Sequence, residues 1–271
     1  MSDDIDRLLG GRNEPRRKDK DLFETVEEVF DTATVMTIVE LTRRKVIRKL
    51  SGVISAGKEA RVYLASGYRG EYLAVKIYLT SSAEFRKGIY KYIAGDPRFE
   101  NIRVRDTRDL IYAWTRKEYR NLKRMHAAGV KVPRPVAFMN NVLVMEFLGE
   151  NGVRYPLLVE AYRELDAEEL RNLYRLILEE VVKIYCKARL VHGDLSEYNV
   201  MVTPGPDVAI IDVSQAVDLS HPNADEFLAR DLRNINRFFR EEAGIDTLSL
   251  EELLEVVKTC QAMKREDSSQ A

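Results

Sequence analysis

The sequence has few cysteines and histidines, almost no net charge and no long apolar run. Two cysteines among 271 residues, Cys186 and Cys260, are too few for a disulfide framework, so we expect a reducing compartment and a buried free thiol at Cys186. Three scattered histidines do not form a histidine-rich metal site. A net charge of −1 excludes a global attraction to nucleic acid or membrane, and there is no signal peptide or transmembrane run. We therefore expect a cytoplasmic protein that binds neither membrane nor DNA.

The apolar pattern changes its period along the chain, and these changes predict the domain organisation. A polar lead and a helical pattern form an N-terminal extension over 1–50. Two-residue alternation predicts a strand-rich lobe over 51–148, which includes a charged, weakly periodic and mobile loop at about 81–111. Helical patterns fill 149–265, and a flexible tail occupies 266–271. This order predicts an α+β protein with two lobes and a ligand cleft between them.

The most informative motif begins at His192 and reads H-x-D-x-x-x-x-N. It contains Asp194 and Asn199, and Asp212 follows 13 residues later at the end of an apolar strand. Two strands can deliver these three side chains to one place, where an aspartate accepts a hydroxyl proton while asparagine and aspartate hold metal ions. The pattern favours phosphoryl transfer over its alternative, a polar turn whose aspartate caps a helix.

A lysine lies at the centre of an apolar strand. Lys76 is flanked by Leu73, Val75 and Ile77, and a buried lysine requires a carboxylate or phosphate partner. The candidate partner is Glu118, an isolated acid on a basic helix predicted to run from Trp114 to Ala128. The alternatives are a solvent-facing lysine on an edge strand and a glutamate in weak surface ion pairs.

A glycine-containing segment resembles a nucleotide-binding P-loop but does not fit that motif. Gly52–Glu59 ends in a glutamate instead of a magnesium-binding hydroxyl, and the following residues are strand-like although a P-loop must open a helix. The glycine-rich loop of ordinary kinases is absent as well. We expect a strand–turn–strand flap over phosphates, with small residues that permit close backbone approach. The flap residues are Ser55, Ala56, Gly57 and Lys58.

The segment after the next strand is the candidate connection between the lobes. Met145-Glu146-Phe147-Leu148 precedes Gly149, and there the carbonyl of Glu146 and the amide of Leu148 could bind an adenine edge. This assignment depends on position alone, because the same residues also suit a protein core.

The segment 101–124 is basic, with eight arginines and lysines against three acids. Its aromatic residues could stack on RNA bases while basic residues such as Arg116, Lys117 and Arg120 contact phosphates. A solvated helix face is the slightly preferred interpretation. The interleaved aromatic residues are Tyr112, Trp114 and Tyr119.

Taken together, the motifs resemble the RIO family of atypical protein kinases, and in particular its RIO-one branch. The resemblance covers about residues 22 to 240, and the lack of a long tail resembles archaeal members. The segments that carry it are Ser55–Ala60, Ala74–Tyr78, Trp114–Leu122, Leu190–Asn199 and Ile210–Gln215.

The resemblance implies a minimal bilobal protein-kinase-like fold that uses ATP with Mg²⁺ or Mn²⁺. It implies serine autophosphorylation and a role in maturing the small ribosomal subunit. In this chain Lys76 and Glu118 would orient the phosphates, Asp194 would be the base, and Asn199 and Asp212 would bind metal. The residues expected to contact the cofactor are Ser55, Ala56, Gly57, Lys58, Lys76, Glu118, Glu146, Leu148, Glu197 and Asn199.

The chain shares the features that separate this family from ordinary kinases. Val213 and Ser214 follow Asp212 in place of Phe-Gly, no A-P-E follows, and about ten residues cannot build an activation segment and peptide platform. The autophosphorylation site implied by the family lies in the mobile loop, where Ser81, Ser82 and Thr107 are candidates. The alternative is an ATPase switch and ribosome assembly factor in which Asp212 forms a transient aspartyl-phosphate.

Overall fold

The structure is a computed structural model. It describes residues 31–80, 88–89, 91–96, 98–99 and 106–269, with side chains described up to residue 260. The expected polar lead, Ser81, Ser82 and about half of the expected mobile loop lie outside the described residues.

The described residues form two compact units, neither of which is continuous in sequence. Both units take in parts of the same long helix, and the last change from the first unit to the second falls after residue 154. The lobe boundary near residue 148 stays a prediction. The first unit contains 31–80, 88, 106–119 and 134–154, and the second contains 89, 91–96, 98–99, 120–133 and 155–269.

The first unit is built on a five-stranded antiparallel sheet, in which the first three strands follow chain order and the fifth strand lies between the third and the fourth. Alternate residues of its strands point to one face, where Tyr63, Ala65, Val75 and Ile77 are buried. The strands are β1 (Lys49–Ala56), β2 (Ala60–Ser66), β3 (Tyr72–Tyr78), β4 (Pro135–Met139) and β5 (Val142–Glu146), and a small hairpin follows with β6 (Gly149–Glu150) and β7 (Val153–Arg154).

Helix α1 (Thr32–Arg43) covers the buried face of this sheet with Ile38, Val39 and Leu41. Asp31 caps the helix by accepting a hydrogen bond of 2.8 Å from the amide of Thr34. The helix ends at Arg43, whereas the sequence pattern predicted helix up to about residue 50. The chain leaves the helix because it must turn into β1.

Helix α2 (Thr107–Ala127) starts seven residues before the predicted start at Trp114. Asp106 precedes it and accepts a hydrogen bond of 2.9 Å from the amide of Asp109, as an N-cap does. Ile111 and Trp114 are buried along one side. Thr107, expected in a loop, is therefore the first residue of a helix, because a short apolar stripe stabilises this charged segment.

The second unit is mainly helical. Asp166 caps the helix that begins at Ala167 and forms a capping box with Glu169. No helix in the described ranges is long and apolar enough to cross a membrane. The helices are α3 (Leu158–Ala161) with a 3-10 turn (Tyr162–Glu164), α4 (Ala167–Val182) with a π-helical turn (Lys183–Lys187), α5 (Ala224–Arg237) with a π-helical turn (Phe238–Glu242), and α6 (Leu250–Ser269).

Two short antiparallel pairs carry the polar motif of the second unit. They are β8 (Leu190–Val191) with β11 (Val217–Asp218), and β9 (Val200–Thr203) with β10 (Asp207–Ile210). The backbone of α6 continues to Ser269, whereas the sequence predicted a tail from residue 266.

The prediction of a free thiol at Cys186 is wrong. Cys186 and Cys260 form a disulfide that joins the π-helical turn after α4 to helix α6, with Cα atoms 5.7 Å apart. Cys186 is only half-buried, and its Sγ atom lies 3.4 Å from the carbonyl oxygen of the buried Val257 in α6. The pairing joins residues 74 positions apart, a separation that local sequence patterns do not reveal.

We expect reduction of this disulfide to lower the free energy of unfolding by about 2 to 4 kcal/mol, because the bond restricts a long loop in the unfolded chain. Urea unfolding with and without dithiothreitol measures the difference. The Cys186→Ala/Cys260→Ala variant, in which dithiothreitol should have no effect, is the control. Equal stability of the oxidised and reduced wild-type protein would contradict the prediction.

Candidate active site

The loop between β8 and β9 holds Asp194. It can form only because Gly193 has a positive φ of 80°. A Cβ atom at this position would also lie 2.9 Å from the carbonyl oxygen of Gln215. Any side chain at Gly193 would therefore strain the backbone and push the loop away from the residues that follow Asp212.

Asp231 anchors this loop from helix α5. Its carboxylate accepts hydrogen bonds from the amides of Gly193 (2.7 Å) and Leu195 (3.0 Å), which flank Asp194. Asp231 is 1% exposed, and burial raises its pKa from 3.8 to about 7 against the opposing effect of these hydrogen bonds. Sequence analysis missed Asp231, although a carboxylate among Phe227, Leu232 and similar residues on the apolar side of a helix is a recognisable signal.

Asp194 is partly buried and carries a perturbed carboxylate. Burial, and then the negative charge of Asp212, raise the pKa of Asp194, while Arg230 and Lys91 act in the opposite direction. Its Oδ2 atom accepts a hydrogen bond of 3.1 Å from the side-chain amide of Gln215. A carboxylate with a raised pKa and a fixed orientation suits a group that accepts a proton during a reaction.

Asn199 and Asp212 lie next to Asp194, as the motif spacing predicts. The side-chain amide of Asn199 donates to the carbonyl oxygen of Asp194 (2.8 Å), and the amide of Ile211 donates to the carbonyl oxygen of Asn199 (3.0 Å). Asp212 is exposed, with a positive φ of 53°, and accepts a hydrogen bond of 2.9 Å from Ser214. Hydrogen bonds thus join Asn199 to Asp194 and to Ile211, the neighbour of Asp212, and the charge of Asp212 acts on Asp194.

The donor set around Asp212 fits a magnesium ion. Carboxylate and amide oxygens are ligands that Mg²⁺ accepts, and Asn199 turns its nitrogen to Asp194, which leaves its oxygen for a metal. In the described residues no group of three or more His, Cys, Asp or Glu side chains could hold a metal ion. Phosphate oxygens of a nucleotide would therefore complete the coordination, as is usual for Mg²⁺.

His192 supports the loop that holds Asp194. Its Nδ1 atom accepts a hydrogen bond from the amide of Asp194 (3.3 Å), so Nε2 carries the proton and faces the carbonyl oxygen of Ile211 at 3.2 Å. The imidazole thus joins the Asp194 loop to Ile211, which directly follows β10.

The turn after Asp212 is held by a polar network that sequence analysis missed. Asn121 of α2 donates to the carbonyl oxygens of Val213 (2.8 Å) and Ala216 (3.2 Å). Arg98 donates to Asn121 (2.6 Å) and forms an ion pair with the fully buried Asp96 (2.6 Å). Asp96 and Arg98 belong to the stretch expected to be a mobile loop, so no sequence signal suggested this role.

The first unit contains the predicted lysine–glutamate pair. Lys76 is 6% exposed, and its Nζ atom lies 2.9 Å from Oε1 of Glu118. The hydroxyl of Tyr78 donates to the other carboxylate oxygen of Glu118. The strand lysine and the helix glutamate therefore form a buried, oriented ion pair, and the solvent-facing alternative is excluded.

The other predicted contact residues have different surroundings. Ser55 and Ala56 end β1, and Gly57 and Lys58 begin the turn to β2. All four residues are exposed, so the strand–turn–strand prediction is confirmed and a P-loop helix is excluded. Glu146 ends β5, and Leu148 precedes β6. Glu197 is buried and pairs with Arg237 of α5 at 2.9 Å, so this carboxylate is directed at a helix.

The lysine–glutamate pair on an antiparallel sheet and the Asp-Asn-Asp loop in a helical unit define an α+β fold of the protein-kinase type, as predicted. A family model described as the RIO domain matches residues 61–253. The chain belongs to the RIO family.

Similar proteins agree with this assignment. The RIO-type serine/threonine-protein kinase Rio1 of Haloferax volcanii is 43% identical over 229 residues, which cover 84% of this chain and 76% of that protein. The human serine/threonine-protein kinase RIO1 is 41% identical, but the chain spans only 42% of its length. The crystal structure of the Rio2 kinase from Chaetomium thermophilum shows the same fold, with a TM-score of 0.63 at 19% identity. The match covers 93% of this chain and 88% of the Rio2 chain.

We expect Asp231→Asn to flatten the dependence of unfolding free energy on pH. Because folding raises the pKa of Asp231 from 3.8 to about 7, its contribution to stability is complete below about pH 4 and is lost as the pH rises through 7. Across this window the loss is on the order of a few kcal/mol, and a neutral side chain removes it.

Urea unfolding between pH 4 and 8 measures this effect. Asp225→Asn changes an exposed carboxylate of the same helix and is the control. Wild-type and Asp231→Asn profiles that stay parallel would show that Asp231 is ionised in the folded protein.

Proposed function

We propose that the chain is an ATP-dependent, metal-requiring serine/threonine kinase that phosphorylates itself. The observation that carries the proposal is the proximity of Asp194, Asn199 and Asp212. Asn199 is hydrogen-bonded to Asp194 and to Ile211 beside Asp212, and burial and the charge of Asp212 raise the pKa of Asp194. The buried pair of Lys76 and Glu118 supports it, because a lysine held in this way can present a fixed positive charge to phosphates.

Each residue has a separate role in this proposal. In the second unit, Asp194 accepts the proton of the hydroxyl that attacks the γ-phosphorus, and Asn199 and Asp212 would hold Mg²⁺ or Mn²⁺. The metal supplies positive charge that neutralises the phosphates. In the first unit, Lys76 orients the phosphates, the flap residues Ser55–Lys58 approach them, and the carbonyl of Glu146 and amide of Leu148 bind the adenine edge.

A second candidate is an ATPase in which Asp212 receives the phosphate. Its carboxylate would attack the γ-phosphorus, ADP would leave, and water would then hydrolyse the aspartyl-phosphate to free phosphate. The exposure of Asp212 favours this possibility. A structure of Rio2 from Chaetomium thermophilum is described as an ADP/Mg²⁺-phosphoaspartate complex and has a TM-score of 0.58 to this chain at 21% identity.

We further propose a cytoplasmic role in maturation of the small ribosomal subunit. The resemblance to RIO-one kinases supports this role. If the protein is an ATPase, nucleotide hydrolysis would time its release from a precursor particle. If it is a kinase, phosphorylation would accompany this release.

We expect Asp194→Ala to reduce phosphoryl transfer from γ-labelled ATP by about two to four orders of magnitude, because the base and its positioning effect are lost. Label on protein and free phosphate are followed together. Asp246→Ala removes an exposed aspartate of the same unit and should leave both signals unchanged. Full turnover in Asp194→Ala would refute the assignment of the base.

The chemical stability of the label distinguishes the two candidates. Acid-stable label on Ser81, Ser82 or Thr107, removed when these are replaced by alanine, indicates the kinase. Label that hydroxylamine releases, accompanied by rapid phosphate formation and absent from Asp212→Asn, indicates the ATPase.

A further inference from the structure

The end of α1 and the turn between β2 and β3 present an exposed basic surface in the first unit. Five basic residues occur between positions 43 and 49, and another lies in the turn. Arg43, Arg44, Lys45 and Arg48 are exposed, as are Tyr68 and Arg69 of the turn. We call this surface the α1-end patch, and it consists of Arg43, Arg44, Lys45, Arg48, Tyr68 and Arg69.

Specific hydrogen bonds bring the two segments of the patch together. The hydroxyl of Tyr68 donates to the carbonyl oxygen of Thr42 in the last turn of α1 (3.2 Å). The amide of Arg48 donates to the carbonyl oxygen of Ser66 (2.8 Å), just before the β2–β3 turn. The basic residues of the helix end and the turn therefore belong to one continuous surface.

The positive charge of the patch exceeds what the fold requires. Cations near the last carbonyls of a helix stabilise it, and Arg43 and Arg44 meet this need for α1. Arg44 also pairs with Glu40 at 2.8 Å. Across the residues that the structure describes, the side chains of Lys45, Arg48 and Arg69 have no ion-pair partner, so their charges remain available to a ligand.

Tyr68 adds an aromatic surface beside these charges. It is 47% exposed, and the hydrogen bond of its hydroxyl to α1 fixes the ring. A fixed, exposed ring can stack on a nucleic-acid base, while arginine and lysine side chains contact the neighbouring phosphates. We propose that the α1-end patch binds single-stranded RNA.

Helix α2, the RNA-binding candidate from sequence, lacks this combination. Lys117 is 3% exposed and lies over the ring of the fully buried Trp114, 4.6 Å from its centroid. Tyr119 packs against Phe138, with ring centroids 4.8 Å apart. Arg116, Arg120 and Lys123 are exposed, but no exposed aromatic ring accompanies them on this helix, so it matches the preferred interpretation of a solvated face.

We chose RNA as the ligand because of the proposed ribosomal role. Binding of RNA to the α1-end patch would not require kinase activity. None of the patch residues belongs to the proposed catalytic or nucleotide-binding set. Failure of one proposal can therefore be told apart from failure of the other by measuring RNA binding and ATP turnover on the same variants.

The test is fluorescence anisotropy of the full chain with a labelled 20-nucleotide oligo-uridine RNA at several salt concentrations. We expect Lys45→Gln/Arg48→Gln/Arg69→Gln to weaken binding at least tenfold. The slope of log affinity against log salt should fall by about 2, since each neutralised phosphate contact accounts for about 0.7 on single strands. Tyr68→Ala should weaken binding about fivefold or more without changing this slope.

The matched control is Arg116→Gln/Arg120→Gln/Lys123→Gln, which removes the same charge from the exposed face of α2. It should change affinity less than threefold, and ATP turnover should remain at the wild-type level in all of these variants. The proposal is overturned if the wild type does not bind RNA at 50 mM salt, or if both triple variants lose affinity equally. It is also overturned if the patch variant retains RNA binding and instead loses binding to phosphatidylserine vesicles.

Discussion

The structure depends on collecting carboxylates of like charge around one short loop. Asp194, Asp212 and Asp231 are close enough for Asp212 and Asp231 each to interact electrostatically with Asp194. Burial raises the pKa of both Asp194 and Asp231, and this repulsion adds to the effect. Such an arrangement persists only if donors compensate it.

The compensating donors explain several details of the second unit. Two backbone amides bind Asp231, the side chain of Gln215 binds Asp194, and Ser214 binds Asp212. The bonds to Asp231 and Asp194 also hold the loop around Asp194 in one conformation, whereas the Ser214 bond lies outside that loop. A cation beside Asp212 would lower the electrostatic repulsion among these carboxylates further. The proposed metal would therefore stabilise the loop as well as take part in the reaction.

Much of the candidate site could be predicted because its determinants are local. The spacing of Asp194, Asn199 and Asp212 follows from one strand–turn–strand segment, and a lysine in an apolar strand requires a partner such as Glu118. Asp231, Arg98 and the Cys186–Cys260 disulfide could not be predicted in this way. Their partners are brought near by packing of distant elements, and local periodicity contains no information on such pairings.

The wrong predictions of helix ends and of side-chain exposure also have physical causes. α1 ends early because the chain must turn into β1, and α2 starts early because Asp106 caps it. Lys117 looked like an exposed basic residue, but its stem and charge lie over Trp114 inside the protein.

The measurement that tests the central claim most directly is the unfolding temperature of the wild type and Asp212→Asn with ATP, with and without Mg²⁺. If the carboxylate cluster and a nucleotide-bound metal stabilise each other, Mg²⁺ should increase the stabilisation by ATP in the wild type, and this increase should be lost in Asp212→Asn. A Mg²⁺-dependent increase of the same size in both proteins would contradict the account.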